Sequence, residues 1–151
     1  MYYEESRIKW ALSEATRVIN IRTKKSDRYI RGYNDCFAFL LAYEQALRGE
    51  QSLTRTIILS YSDSKDFFKA MEEKLNHRSL EDFAVAMKFE PVKDRKPLAG
   101  DIAFEAGTAM VADKAYWLST NENLSGIRPV RRMRAKEVTP SLMARPINLG
   151  D

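Results

Sequence analysis

One cysteine and one histidine are the only strong nucleophile and the only near-neutral base in this 151-residue chain, so their settings frame the chemistry. Cys36 opens the apolar run in Gly32-Tyr33-Asn34-Asp35-Cys36-Phe37-Ala38-Phe39-Leu40-Leu41, where turn formers give way to helix formers. A helix beginning there directs unpaired amide N–H groups and the positive end of its macrodipole at the sulfur, a placement that lowers a thiol's pKa and favours the nucleophilic thiolate. Amide hydrolysis further requires a base that returns a proton to the leaving nitrogen, a task usually given to histidine. The lone His77 sits in Asn76-His77-Arg78-Ser79, a turn ahead of an N-cap, and reads as a helix-end residue rather than a catalytic one. A lone cysteine on a buried helix also has a plain reading as a small apolar residue.

The elements that must position Cys36 follow from periodicity. Ile8, Leu12, Ala15 and Ile19 recur at helical spacing and predict an amphipathic helix from Glu4 to about Asn20. Ile21 to Tyr33, rich in basic residues (Arg22, Lys24, Lys25, Arg28, Arg31), reads as a loop leading to Asn34-Asp35, the expected cap of the Cys36 helix. That helix runs to Gly49 and is apolar nearly all round, which marks it as the buried centre of the domain. Thr56 to Leu59 reads as a short extended piece. Ser62-Asp63-Ser64 then caps a helix carrying Phe67, Phe68, Met71 and Leu75. Ser79 with Asp82 resembles a capping box for a helix bearing Leu80, Phe83, Ala84 and Met87. Beyond the connector between Pro91 and Pro97 the pattern turns to strands, expected at Asp101 to Glu105, Ala109 to Ala112, Ala115 to Ser119, Ile127 to Met133 and near Leu142 to Ile147. Helices first and strands last predict an α+β fold with the helices on one side of a small antiparallel sheet or barrel. The expectation is one domain over 1–151, with a mainly helical half over 1–90 and a mainly strand half over 97–147.

Two elements resemble a known superfamily. Asp35-Cys36-Phe37-Ala38-Phe39 matches the D-C-x-x-F nucleophile element, and Pro97-Leu98-Ala99-Gly100-Asp101-Ile102-Ala103-Phe104 the P-x-x-G-D-[IV]-x-F strand element, of NlpC-type papain-like cysteine peptidases. The likeness extends over roughly Tyr29 to Ile147 and is greatest to the small NlpC-like proteins of phages and prophages, often filed as tail-assembly or virion-associated. It implies a papain-like fold with Cys36 as nucleophile. It also implies a histidine at the start of the second barrel strand, with a third polar residue on the next strand to orient its ring. Counting on from Gly100-Asp101 reaches Thr108 or Ala109, neither of which can accept and return a proton near neutral pH. Loss of a triad member costs several orders of magnitude in rate, so the resemblance is to a degenerate member, a pseudoenzyme.

Composition narrows the partners without choosing one. A balance of 25 Lys and Arg against 21 Asp and Glu, net +4, favours acidic partners but lacks the charge density of a dedicated nucleic-acid binder. Arg128, Arg132, Arg134 and Lys136 form a basic stripe on a predicted strand, which either guards a sheet edge or meets an acidic surface. The aromatic group Tyr29, Tyr33, Phe37 and Phe39 reads as core and groove wall. One cysteine excludes an intrachain disulfide, and one Cys with one His cannot make a structural zinc site unless carboxylates supply most ligands, so no metal or cofactor is expected. The acidic, polar Met1 to Ser6 does not resemble a secretory signal, and no apolar run approaches the length of a membrane span.

Three functions compete on this basis. The first is a non-catalytic phage virion component of a tail or head-to-tail assembly, made in the host cytoplasm, with other phage structural proteins as partners and oligomerisation within the assembly. The second is an active cysteine peptidoglycan peptidase or amidase used in infection, and the third a basic nucleic-acid-binding protein.

Overall fold

A long helix with a regular apolar stripe begins the molecule. The computed structural model describes residues 1–26, 30, 33–55, 80–105, 108–114, 116–120, 130–134 and 140–150. Helix α1 (Glu5–Ser26) buries Ile8, Ala11, Leu12, Ala15 and Ile19 at the expected three- and four-residue spacing. It continues six residues beyond the end expected at Asn20. Tertiary anchors hold that basic extension: the Asn34 amide donates to Thr23 Oγ1 at 3.3 Å, and the Arg22 guanidinium donates to the Tyr33 carbonyl at 3.0 Å. Lys24 and Lys25 in the last turn also complement the negative end of the helix dipole.

Helix α2 (Cys36–Arg48) begins and ends where the sequence places it. Asp35 Oδ1 accepts from the Ala38 N–H at 2.9 Å as the N-cap, and Gly49 closes the other end at φ +58°. Its burial is nearly complete through Glu44, as expected of a central helix. Helix α3 (Leu80–Ala86) adds Phe83 and Ala84 to the same core, with the Phe83 ring edge-on to Phe104 at 5.9 Å between centroids. The extended piece at 56–59, the helix over 64–75 and the Ser79 cap lie outside the described residues.

Six strands follow among the described residues: β1 (Phe89–Pro91), β2 (Ile102–Glu105), β3 (Thr108–Asp113), β4 (Tyr116–Thr120), β5 (Val130–Arg134) and β6 (Leu142–Pro146). They form one antiparallel sheet in the order β1-β6-β2-β3-β4-β5. Among the described residues β1 and β5 do not pair, so the order is that of an open sheet rather than a closed barrel. Strand β1 was hidden in the sequence because three residues ending in proline carry no alternation, and Pro91 is tolerated since β1 is an edge. Ile102, Phe104, Ala109, Val111, Leu118 and Ala144 turn one face toward the helices. Ala103, Met110, Ala112, Trp117 and Met143 make a second, smaller cluster. The result is α+β, with N-terminal helices packed on a small antiparallel sheet.

Gly100 joins helices to sheet, and Asp101 beside it ties the connector to β6. Gly100 adopts φ +94°, and a Cβ there would lie 2.8 Å from Ile8 Cδ1, so only glycine lets α1 approach this closely. Its carbonyl accepts from the Tyr43 hydroxyl of α2 at 2.9 Å. Asp101, fully buried, accepts from Arg95 at 2.6 and 3.2 Å, from Arg145 at 2.9 Å and from the Leu98 N–H at 2.8 Å. A buried carboxylate satisfied this fully is tolerable, whereas removing one partner from such a cluster typically costs about 3–5 kcal/mol.

Candidate functional site

The fold brings the two regions singled out in the sequence into contact. Cys36 is the first residue of α2, and its Sγ accepts a hydrogen bond from the backbone N–H of Ala109, the second residue of β3, at 3.4 Å. Seventy-three positions separate them in the chain. The sheet face that meets α2 therefore presents β3 to the sulfur at one of the two positions, Thr108 and Ala109, where the NlpC resemblance calls for a histidine. Ala109 is fully buried and offers a methyl group and a backbone N–H; Thr108 is half-buried one residue earlier, paired with Glu105 of β2.

The next strand supplies polar groups that the sequence reading did not name. The β3–β4 register pairs Val111 with Leu118, and Ser119 Oγ donates to the Ala109 carbonyl at 2.8 Å. Thr120 is also buried, and its Oγ1 has no hydrogen-bond partner among the described residues. The available signal was the polar doublet Ser119-Thr120 ending the apolar strand Tyr116-Trp117-Leu118, at the place where the resemblance expects a ring-orienting residue. Ser119 here orients a backbone carbonyl.

The electrostatics correct the expected activation of the thiol. Burial, with the sulfur-bearing residue only 7% exposed, pushes the Cys36 thiol up to about 12. The neighbouring Asp35 carboxylate adds to the rise, while the N–H groups of Ala109 and of the helix start oppose it and lose. The reason is one of magnitude: desolvating a full charge outweighs a helix dipole of about half a charge at its end. Near neutral pH the group is an un-ionised thiol.

Other expected participants are distributed differently. His77 lies outside the described residues, as do Tyr29, Arg28, Arg31, Arg128 and Lys136. Phe37 and Phe39 are core residues, while Tyr33 is half-buried with the Arg22 guanidinium over its ring at 5.4 Å from the centroid. Arg22 is thus engaged locally, and Lys24 and Lys25 are exposed on the last turn of α1. Arg132 and Arg134 do fall on a strand, β5, at register positions opposite Leu118 and Tyr116 on the sheet edge. No group of three or more His, Cys, Asp or Glu residues able to hold a metal exists among the described residues. No helix among them is long and apolar enough to cross a membrane.

A buried cation absent from the sequence reading proves central to the architecture. Arg48, 4% exposed at the end of α2, donates to the carbonyls of Lys88 at 2.9 Å, Ile147 at 3.0 Å and Met87, and stacks over Phe89. The planar fork of guanidinium suits this simultaneous capture of several carbonyls, which a lysine could not reproduce. Nothing in its sequence neighbourhood distinguishes it from a surface arginine closing a helix.

Comparison of the chain with protein-family models, with curated proteins and with solved structures gives no match.

Proposed function

We propose that this protein is a non-catalytic structural component of a phage particle, in a tail or head-to-tail assembly, built on a degenerate NlpC-like scaffold. One observation carries the loss of catalysis: the Cys36 sulfur, at the start of α2, faces the Ala109 backbone in an apolar setting that holds it protonated. A backbone N–H can steady a sulfur but cannot take its proton and return it to a leaving amine. The particle assignment rests on the D-C-x-x-F and P-x-x-G-D elements, whose resemblance is to phage-associated members. The second element has a stabilising role here, with Gly100 meeting both long helices and Asp101 tying the connector at Arg95 to Arg145 of β6. A chain that keeps the scaffold while its thiol is silent fits assembly better than hydrolysis.

Mass spectrometry of particles purified from producing cells tests this reading, together with cell-wall clearing by the wild type and by Cys36→Ala. The expected outcome is incorporation into particles and equal, background clearing by both proteins. A monomer that never cofractionates with particles overturns the structural reading, and clearing that depends on Cys36 establishes the hydrolase in its place.

A further inference from the structure

The outward face of α1 carries apolar residues that the core does not use. Ile8, Leu12, Ala15 and Ile19 mark the buried side of the helix, while Trp10 is 52% exposed and Ile21 40%. A single exposed apolar side chain needs no explanation, but these two fall in one register. Trp10, Glu14, Arg17 and Ile21 follow one another at spacings of four, three and four, the spacing of a seam along which two helices meet. At about 100° per residue the four lie within about 60° of one another, with Trp10 and Ile21 about 16 Å apart along the axis.

Between the two apolar residues sit one acid and one base. Arg17 Nε donates to Glu14 Oε2 at 3.1 Å, and the side chains of Arg17 and Glu14 are 59% and 30% exposed. A pair this open to water contributes little within one helix and is readily shared with a second partner. Arg7 is engaged beside the stripe: its Nε donates to the Leu47 carbonyl at 3.0 Å, and its guanidinium lies over the Trp10 ring at 5.3 Å from the centroid. That stack steadies an exposed indole, the type of side chain that most often anchors a protein interface.

We infer that the outward face of α1 is a self-complementary surface on which a second copy of this chain packs, the two α1 helices running antiparallel. The order apolar, acid, base, apolar selects the occupant. About a twofold axis between residues 15 and 16, Trp10 of each copy meets Ile21 of the other and Glu14 of each meets Arg17 of the other, the reciprocity an isologous interface requires. A parallel pair would set Glu14 against Glu14 and Arg17 against Arg17, so charge fixes the direction. The same reversal brings the exposed Glu4 and Glu5 at the start of one helix toward the end that carries Lys24 and Lys25 in the other, and sets the helix dipoles in opposition. Arg7, near that end, is drawn aside by its bond to Leu47. A nucleic acid would meet Glu14 with like charge and has no apolar group for Ile21. A helix of 22 residues is about 33 Å long, so the interface is small and a dimer dissociating at about 10–100 micromolar is expected. This deepens the assembly reading by naming the face through which copies meet; it rests on that reading only for placing them in a particle.

Sedimentation equilibrium from about 1 micromolar to 1 millimolar tests the surface, since that range brackets the expected dissociation constant. Glu14→Arg and Arg17→Glu each put like charges across the twofold and should weaken self-association at least about tenfold. An equimolar mixture of the two single variants should recover it as a heterodimer, and the Glu14→Arg/Arg17→Glu swap should recover it as a homodimer. Trp10→Ala should weaken association to a similar degree, and circular dichroism verifies that every variant is folded. A wild type that stays monomeric throughout, single reversals that associate as the wild type does, or a mixture that fails to associate overturns the inference. If the variants follow the expected pattern but the protein is absent from particles, the assembly reading falls and the α1 surface stands. If particles contain the protein while it remains monomeric at every concentration, the α1 surface falls and the assembly reading stands.

Discussion

Alkylation of Cys36 as a function of pH tests the central chemical reasoning directly. An ordinary thiol of pKa about 8.5 is ionised to a few per cent at neutral pH. A thiol pushed up to about 12 is ionised to roughly one part in 10^5. Greater basicity makes the rarer thiolate intrinsically more nucleophilic and recovers about half of that loss on a logarithmic scale. Iodoacetamide should therefore modify the folded protein about two orders of magnitude more slowly than a model thiol at pH 7, before the further obstruction of a sulfur buried under β3. Mass spectrometry of the carbamidomethylated chain gives the rate, with the urea-unfolded protein as internal reference. The rate should climb with pH without levelling below about 10. The same shift has a thermodynamic counterpart. Because folding raises this pKa, the stabilisation from keeping the thiol neutral is complete below about pH 8.5. It is lost as pH rises toward 12, at up to about 1.4 kcal/mol per pH unit, and Cys36→Ala should remove this component of alkaline destabilisation. An inflection in the alkylation rate at or below neutral pH, with a rate equal to or above the model thiol's, would refute the argument that burial outweighs the helix start.

Two substitutions probe the surrounding architecture. Gly100→Ala forces an L residue into φ +94° and a methyl group to within 2.8 Å of Ile8, so it should cost about 2–5 kcal/mol in urea unfolding; a loss under about 1 kcal/mol would contradict the close approach of α1. Ala109→His inserts an imidazole where a fully buried methyl now packs, and should destabilise the fold through overpacking by about 1–3 kcal/mol, read as a lower thermal midpoint, without creating cell-wall clearing; a gain of clearing would show that the thiol needs only a base.

Much of the local structure is legible from local chemistry. Asp35 before an unbroken apolar run announces the start of α2, and Gly49 its end, because capping and chain reversal depend on the few residues that perform them. Strands β2, β3 and β4 fall within a residue or two of the expected boundaries. Expectation and structure part where distant groups intervene. The apolar stripe stops short of Thr23 to Ser26 and so gives no pattern for helix there, yet Asn34 and Tyr33 hold that turn in place from outside it. Strand β1 exists only because β6 pairs with it. Arg48 carries no sequence signature for capturing three carbonyls from segments brought together by folding.

The candidate site divides along the same line. Residue order alone establishes that a lone cysteine heads a central helix and that no histidine occupies the positions near Thr108 and Ala109, since identity, spacing and capping are properties of neighbours along the chain. Whether the sulfur is activated or silenced was decided by tertiary structure. The helix start is a short-range influence visible in the sequence, whereas desolvation depends on every atom packed around the sulfur. Here β3 closes over Cys36 from far along the chain, excludes the water that would stabilise a thiolate, and replaces it with one backbone N–H.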